Sequence, residues 1–440
     1  MGTLSKVTGA LQSVLTVQAN RLARQCGVVQ RERKLSGATL AQALVLGWLH
    51  RPEASVEQLA QVAAACGRPV CPQAIDQRFH ERTANFFNRL LQAAVAEVVM
   101  ADPLAIGLLK RFTGVYVEDS TIISLPTCFG HLWPGSGGNQ GRTPAAMKLH
   151  VQLDLKTGRL IGPKCVAGRE SDHHGSLAEV VPRGAIRLAD LGFFDLAQLG
   201  ELDDRGVFWV TRIQPQTALY DVQGNRLDVA RLMRGVESFL DRPIQVGVEE
   251  RLACRLIVAA VPPAVVRRRR DRLKRDAKRR GRRVSERQRQ WCRWTVLVTN
   301  VPPERLSVCE ALALLKIRWQ IELLFKRWKS LGGVDQSRSE NPWRILIETY
   351  AKLLGMVIQH WLLLVAAWQY EDRSLAKASV AIQDHVLTLI GAIDSHRRLA
   401  AAIGRLADIL SVAGRLQSRR ARPPSYRLLQ NPELIDSTLT

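Results

Sequence analysis

The chain has little of what would tie it to a membrane or to an oxidising compartment. No run approaches the eighteen or so apolar residues needed to span a bilayer, and its most apolar helix, around residues 343 to 369, carries Arg344, Glu348, Lys352 and His360. The amino terminus lacks the charged-then-apolar pattern of a signal peptide, so a cytoplasmic protein without a membrane partner is expected. Its eight cysteines include no CxxC pair, and the nearest two, Cys66 and Cys71, are separated by four residues. Reduced thiols are therefore expected rather than disulfides or a structural zinc. The Gly-rich stretch GSGGNQG at 135–141 lacks the Gly-Lys-Ser/Thr ending of a phosphate-binding loop, and is expected to be a flexible loop.

Acidic residues are the scarce charge. Against 63 Lys and Arg stand 40 Asp and Glu, leaving a formal net charge of +23 in 440 residues. The sequence pI is near 10.4. So strong an imbalance favours a large polyanionic partner, with nucleic acid first. A hydrophobic content of 46% is ordinary for a globular protein and leaves room for two or three domains with a sizeable core.

Residues 1–105 read as helical throughout, with Ala, Leu and Gln at helical spacing. Ser55 with Gln58 three residues on predicts a capped helix through Leu59, Val62 and Ala63, which Gly67 to Pro69 ends. Pro72 then opens a second helix through Ile75 and Phe79. Helix, short turn and helix is the spacing of a DNA-reading motif, with Gln73, Asp76, Gln77 and Arg78 as candidates for groove contact. An ordinary helical hairpin gives the same pattern.

From Val115 the pattern changes to short apolar strands. VYVEDSTIISL predicts a strand with Val115, Val117 and Asp119 on one face, an acid where an apolar residue would be expected. Such an acid is costly unless it is paired or binds a metal. KLHVQLDLKTGRLIGPKCVAG predicts a hairpin turning at Lys156 to Arg159. AIRLADLGFFDLAQLGEL predicts a strand passing into a helix, with Asp190 at the strand's carboxyl end, where ligands collect in α/β sheets. Asp190 as a cap of the following helix is the alternative. GVFWVTRI is the next strand.

IQVGVEE, RLIVAAV and RWTVLVTNV are strand-like and surround a basic run from Arg267 to Arg293 that holds about half of the excess positive charge. A solvated or disordered arm is the usual fate of such a run. Counterion release would let it bind DNA with or without fixed structure. His173 and His174 are adjacent on a predicted loop, a poor arrangement for two ligands of one ion.

LLKIRWQIELLFKRWKS, residues 314–330, predicts one helix. At 100° per residue, Arg318, Glu322 and Lys329 fall within about 40° of each other with Lys326 beside them, next to an apolar stripe of Leu314, Ile317, Ile321, Leu324 and Trp328. A carboxylate framed by cations suits a site that handles phosphate and metal. An amphipathic surface helix with ordinary charge pairs has the same face. Asp119, Asp190 and Glu322 taken together offer the oxygen donors that a pair of divalent ions about 4 Å apart would need to cleave a phosphodiester.

These motifs resemble those of the DDE transposases of bacterial insertion sequences, in the insertion-sequence-four family with its YREK signature. That signature is Tyr, two residues, Arg, three residues, Glu, six residues, Lys; Arg318, Glu322 and Lys329 match it, and Leu315 stands at the Tyr position, without the hydroxyl. The resemblance extends to VEDST around Asp119, LADLGFFD around Asp190 and the strand-rich insertion before the Glu helix, so it covers roughly residues 110 to 360.

It implies an α/β architecture with a ribonuclease-H-like mixed-sheet core and a β-rich insertion, preceded by a helical DNA-binding domain and followed by C-terminal helices. The corresponding segments are 1–105, 106–213, 214–305, 306–370 and 371–440. Asp119, Asp190 and Glu322 would be the catalytic ligands of two Mg2+ ions, with Mn2+ as a substitute. Arg318, Lys326 and Lys329 would hold phosphates near the cleaved end. Trp294 and Trp319 would stack on a displaced base, an interaction contributing about 1–3 kcal/mol, although packing roles suit both rings as well. The implied function is cutting and joining of double-stranded DNA at terminal inverted repeats, by a homodimer in the synaptic complex, with the helices from 375 to 416 as the candidate contact. A DNA-binding regulator or inactive derivative without catalysis is the alternative.

Overall fold

A computed structural model describes residues 2–30, 35–137, 144–234, 238–279, 281–416 and 424–438. Most of the Gly-rich stretch at 135–141 lies outside the described residues. Helices α1 (Thr3–Gln12), α2 (Ala19–Gln25), α3 (Gly37–His50), α4 (Val56–Ala65), α5 (Pro72–Asp76) and α6 (Glu81–Ala96) come first, with a π-helical segment between α1 and α2. A short α7 (Gly107–Lys110) leads to β1 (Val115–Leu125), β2 (Ala145–Asp154) and β3 (Leu160–Ala167). Then follow α8 (Asp172–Gly175), β4 (Ile186–Ala189), α9 (Leu196–Asp204), β5 (Phe208–Arg212), β6 (Leu219–Tyr220), α10 (Val229–Leu232), β7 (Phe239–Val246) and β8 (Leu252–Ala260). Between β8 and β9 (Trp294–Thr299) lie α11 (Pro263–Arg279) and α12 (Glu286–Trp291). The chain closes with α13 (Val308–Ile317), α14 (Trp319–Ser330), α15 (Pro342–Ala366), α16 (Leu375–His385), α17 (His396–Ala413) and α18 (Ser425–Gln430).

The strands form one mixed nine-stranded sheet in the order β3-β2-β1-β4-β5-β9-β8-β7-β6. β1, β4 and β5 run parallel, whereas β2 with β3 and the successive pairs from β5 through β9, β8 and β7 to β6 are antiparallel. This agrees with the mixed sheet expected of a ribonuclease-H-like core. The insertion at 214–305 contributes strands to the same sheet, because β9 pairs with β5 through Val210 and Thr299.

By compactness the chain divides into two units, each discontinuous in sequence. One unit comprises Met1–Leu104, Ser120–Ser171 and Ile321–Ser418. Its centre is α15, which packs against α3 and α6. α15 is long and apolar enough to cross a membrane, but 94% of its apolar window is buried inside the protein. Its charged residues are satisfied locally: Glu348 pairs with Arg344 at 3.0 Å and with Lys352 at 3.4 Å, and Lys352 also donates to the carbonyl of Gln336 at 2.7 Å. The β2–β3 hairpin turns through Gly158 at φ +71°, and a Cβ there would collide with Leu364 and Trp368. The His360 Nε2–H donates to the Gly158 carbonyl at 2.7 Å, fixing that turn against α15. In the same unit Ser55 and Gln58 form the expected capping box on α4, while α5 is only five residues long.

The other unit comprises Ala105–Asp119, Asp172–Gln320 and Arg419–Thr440. It holds the parallel β1–β4–β5 pairing and strands β6 to β9. The basic run within it is helical over α11 and α12, which removes disorder as its fate among the described residues. Asp276 pairs with Arg272 one turn before it and with Arg279 after it, a Ser285–Gln288 capping box starts α12, and Arg269 donates to the Trp294 carbonyl at 2.8 Å. Spaced acids, a cap and an anchor on β9 thus offset the repulsion within the run.

The single helix expected at 314–330 is instead two, α13 and α14, meeting at Arg318. Arg318 keeps right-handed helical angles (φ −46°, ψ −30°) and its N–H still bonds to the Leu314 carbonyl at 3.1 Å. The apolar stripe of Leu314, Ile317, Ile321, Leu324 and Trp328 is buried as its spacing predicts.

Candidate active site

Glu118 and Asp119 are consecutive on a strand, so their side chains leave opposite faces of the sheet. Glu118 is fully buried and pairs with Arg187 of β4 at 2.7 Å. It also accepts from the backbone N–H of Leu177 at 2.6 Å, and Arg187 reaches Ser176 Oγ at 3.3 Å. This closed polar cluster locks β1 to β4 from within the unit. Sequence reasoning missed it, although a signal was present: adjacent acids on one strand, with an arginine inside the apolar IRLA strand beside them.

Asp119 leaves by the other face. Glu118 stands opposite Ala189 in the parallel register, so Asp119 and Asp190 follow side by side where the pairing of β1 and β4 ends. Adjacent strands lie only about 4.8 Å apart, which brings the two carboxylates within reach of one cation. That cation is Arg318: its guanidinium lies 3.1 Å from Asp119 Oδ2 and 3.7 Å from Asp190 Oδ1. Asp190 makes no side-chain cap bond to the short turn that follows it. The cap of α9 is Asp195, which accepts from the Gln198 N–H at 3.1 Å.

Glu322 lies in the first turn of α14, one helical turn beyond Arg318, and is half-buried at the edge of the apolar stripe. Lys329 donates to the Ile122 carbonyl of β1 at 2.9 Å, and Lys326 is exposed. Trp319 is 55% exposed, an unusual position for an indole, whereas Trp294 is half-buried at the start of β9. Leu315 is half-buried on α13. Farther along the first unit, Gln73 and Gln77 are exposed, and Arg78 donates to the Val28 carbonyl at 2.8 Å. His173 Nδ1 stands 3.8 Å from Asp195 Oδ2.

Among the described residues no group of three or more His, Cys, Asp or Glu side chains is gathered closely enough to hold a metal ion. The donors at Asp119 and Asp190 nevertheless fit one. They are carboxylate oxygens, the ligand class of Mg2+ and Mn2+, and the guanidinium between them shows that the place accepts a cation.

A family model described as a transposase DDE domain matches residues 110–358, the stretch that contains all three acids. The chain belongs to the DDE transposase family. Similarity to other members of the family runs well beyond the matched domain. The transposase for insertion sequence element IS231F of Bacillus thuringiensis subsp. israelensis is 26% identical over 453 residues, covering 95% of this chain and 94% of that one. The transposase for IS231C of Bacillus thuringiensis subsp. berliner is 25% identical over 443 residues, covering 93% and 91%. The transposase for IS1151 of Clostridium perfringens is 22% identical over 367 residues, covering 78% and 76%. The similarity thus includes the amino-terminal helices as well as the strand-rich core.

Proposed function

We propose that this DDE transposase binds the terminal inverted repeats of its insertion sequence, cuts the DNA by metal-dependent hydrolysis and joins the freed 3′ hydroxyl to target DNA. The observation that carries the reading is the convergence of Asp119 and Asp190 on Arg318 in a chain whose family match spans both acids and Glu322. Asp119, Asp190 and Glu322 are the residues that would hold divalent ions. Two such ions supply an activated water and stabilise the leaving oxygen of the phosphodiester.

The chain's own groups do the rest. Glu322 is placed on α14, a helix rather than a loop. Arg318, with five donors in a planar fork, suits bidentate contact with a phosphate, while Lys326 and Lys329 act as point charges on α14. Trp319 offers a ring for a base displaced from the duplex, which its exposure supports. The helices of residues 1–105 would read the repeats, with exposed Gln73 on α5 and Gln77 just after it as groove contacts. Arg78 is engaged with the Val28 carbonyl and would have to leave it to join them. Joining two ends in concert calls for two copies of the chain in the synaptic complex.

Glu322→Gln tests the reading, because it removes a charge needed for metal while keeping the side chain's shape. The variant should bind end DNA as the wild type does, in a gel-shift titration, and lose nicking in Mg2+. Nicking at the wild-type rate would refute the assignment.

A further inference from the structure

Arg318 is the residue whose role the proposed chemistry leaves incomplete. As a phosphate ligand it should face the DNA, yet its guanidinium contacts Asp119 and Asp190 and its side chain is only 12% exposed. We propose that Arg318 is an internal counter-ion of the two aspartates, which it surrenders to a divalent cation, so that metal entry releases the guanidinium to a DNA phosphate. The proposal rests on the metal-site reading above and adds to it a coupling between the two ligands.

First, two carboxylates at the paired ends of neighbouring strands repel each other, and a cation between them relieves that repulsion. Arg318 supplies that cation, with its guanidinium placed between the two. Second, a divalent ion and a guanidinium in contact with the same oxygens compete for lone pairs and repel each other. Asp190 is 44% exposed and Asp119 18%, so a cation can reach the pair from solvent without unfolding the strands. Third, a displaced guanidinium needs another anion, and a phosphate matches its fork. Metal binding without DNA then carries the cost of breaking two ion pairs, whereas with DNA present that cost is offset. By thermodynamic reciprocity each ligand strengthens the other. A side chain that served only as a phosphate ligand would leave metal affinity unchanged when removed.

The test is calorimetric titration of Mn2+ into the full-length protein without DNA, so catalysis plays no part in the readout. Asp119→Asn should bind Mn2+ more weakly than wild type. Arg318→Ala should bind it more tightly, by about fivefold to tenfold, the size of effect expected from removing two partly exposed ion pairs. Arg318→Gln, which retains hydrogen-bonding capacity for a fold that needs it, should shift in the same direction. Thermal melting in chelator identifies any variant that has lost its fold. Unchanged or weaker Mn2+ binding by folded Arg318→Ala or Arg318→Gln overturns the counter-ion role. If Asp119→Asn is weaker while both Arg318 variants match wild type, only this inference fails. If Asp119→Asn binds Mn2+ like wild type, the metal-site reading fails with it.

Discussion

Two neighbouring acids on β1 have different fates because the strand alternates faces. Glu118 points to a closed cluster with Arg187 and Ser176, and Asp119 points to the cation Arg318. Burial separates them: breaking the Glu118–Arg187 pair would leave an uncompensated buried charge, which typically costs about 3–5 kcal/mol. Another buried group sets a pH dependence. His360 gives its Nε2–H to the Gly158 carbonyl, its Nδ1 has no hydrogen-bond partner, and burial pulls its pKa down to about 4. A protonated Nδ1 would have no acceptor. Since the folded value lies below the unfolded one of about 6.5, the contribution of the neutral ring is complete above pH 6.5 and is lost as pH falls towards 4. The loss should be on the order of 3 kcal/mol. Urea unfolding across that range should therefore show a shallower acid decline for His360→Gln than for wild type, and parallel declines would exclude the buried neutral ring.

At the scale of elements, the basic insertion between β8 and β9 yields the clearest expectation. Arg267, Arg268, Arg272 and Arg275 are exposed on α11, on a helix held to β9 through Arg269. If they sit against DNA phosphates, replacing all four with Gln should flatten the dependence of log affinity on log salt by about 0.9 for each phosphate no longer neutralised. A binding isotherm series across salt concentrations measures that slope, and an unchanged slope would place the arm away from DNA.

Elements with a local cause were readable in the sequence. The Ser55–Gln58 cap, the hairpin turning at Lys156 to Arg159 and the strands on either side of the basic run all follow from short-range pattern. The break at Arg318 was not readable, because residues 314–330 keep helical periodicity straight through it. Helix formation by the basic run was also hidden, because it depends on spaced acids and on an anchor to β9 that lies outside the run. Asp190 shows the same division at the site itself: its position at a strand end was legible, but whether it or Asp195 caps α9 required the fold.

At the scale of the molecule, the amino-terminal helices form no unit of their own by compactness. They belong with residues 120–171 and 321–418, gathered around α15. No sequence pattern announces this, since an all-round apolar helix says that it is buried without saying by what. The strand segments of the insertion likewise extend the sheet from β5. Asp119, Asp190 and Arg318, widely separated in sequence, meet within one unit.

The most direct test of these acids as the catalytic set is Mg2+-dependent cleavage of DNA carrying the ends of the insertion sequence, with Asp190→Asn and Asp195→Asn assayed side by side. Asn caps a helix about as well as Asp, so Asp195→Asn should fold and cut like wild type. Asp190→Asn should bind the same DNA and leave it uncut. Equal cleavage by the two variants would contradict the account.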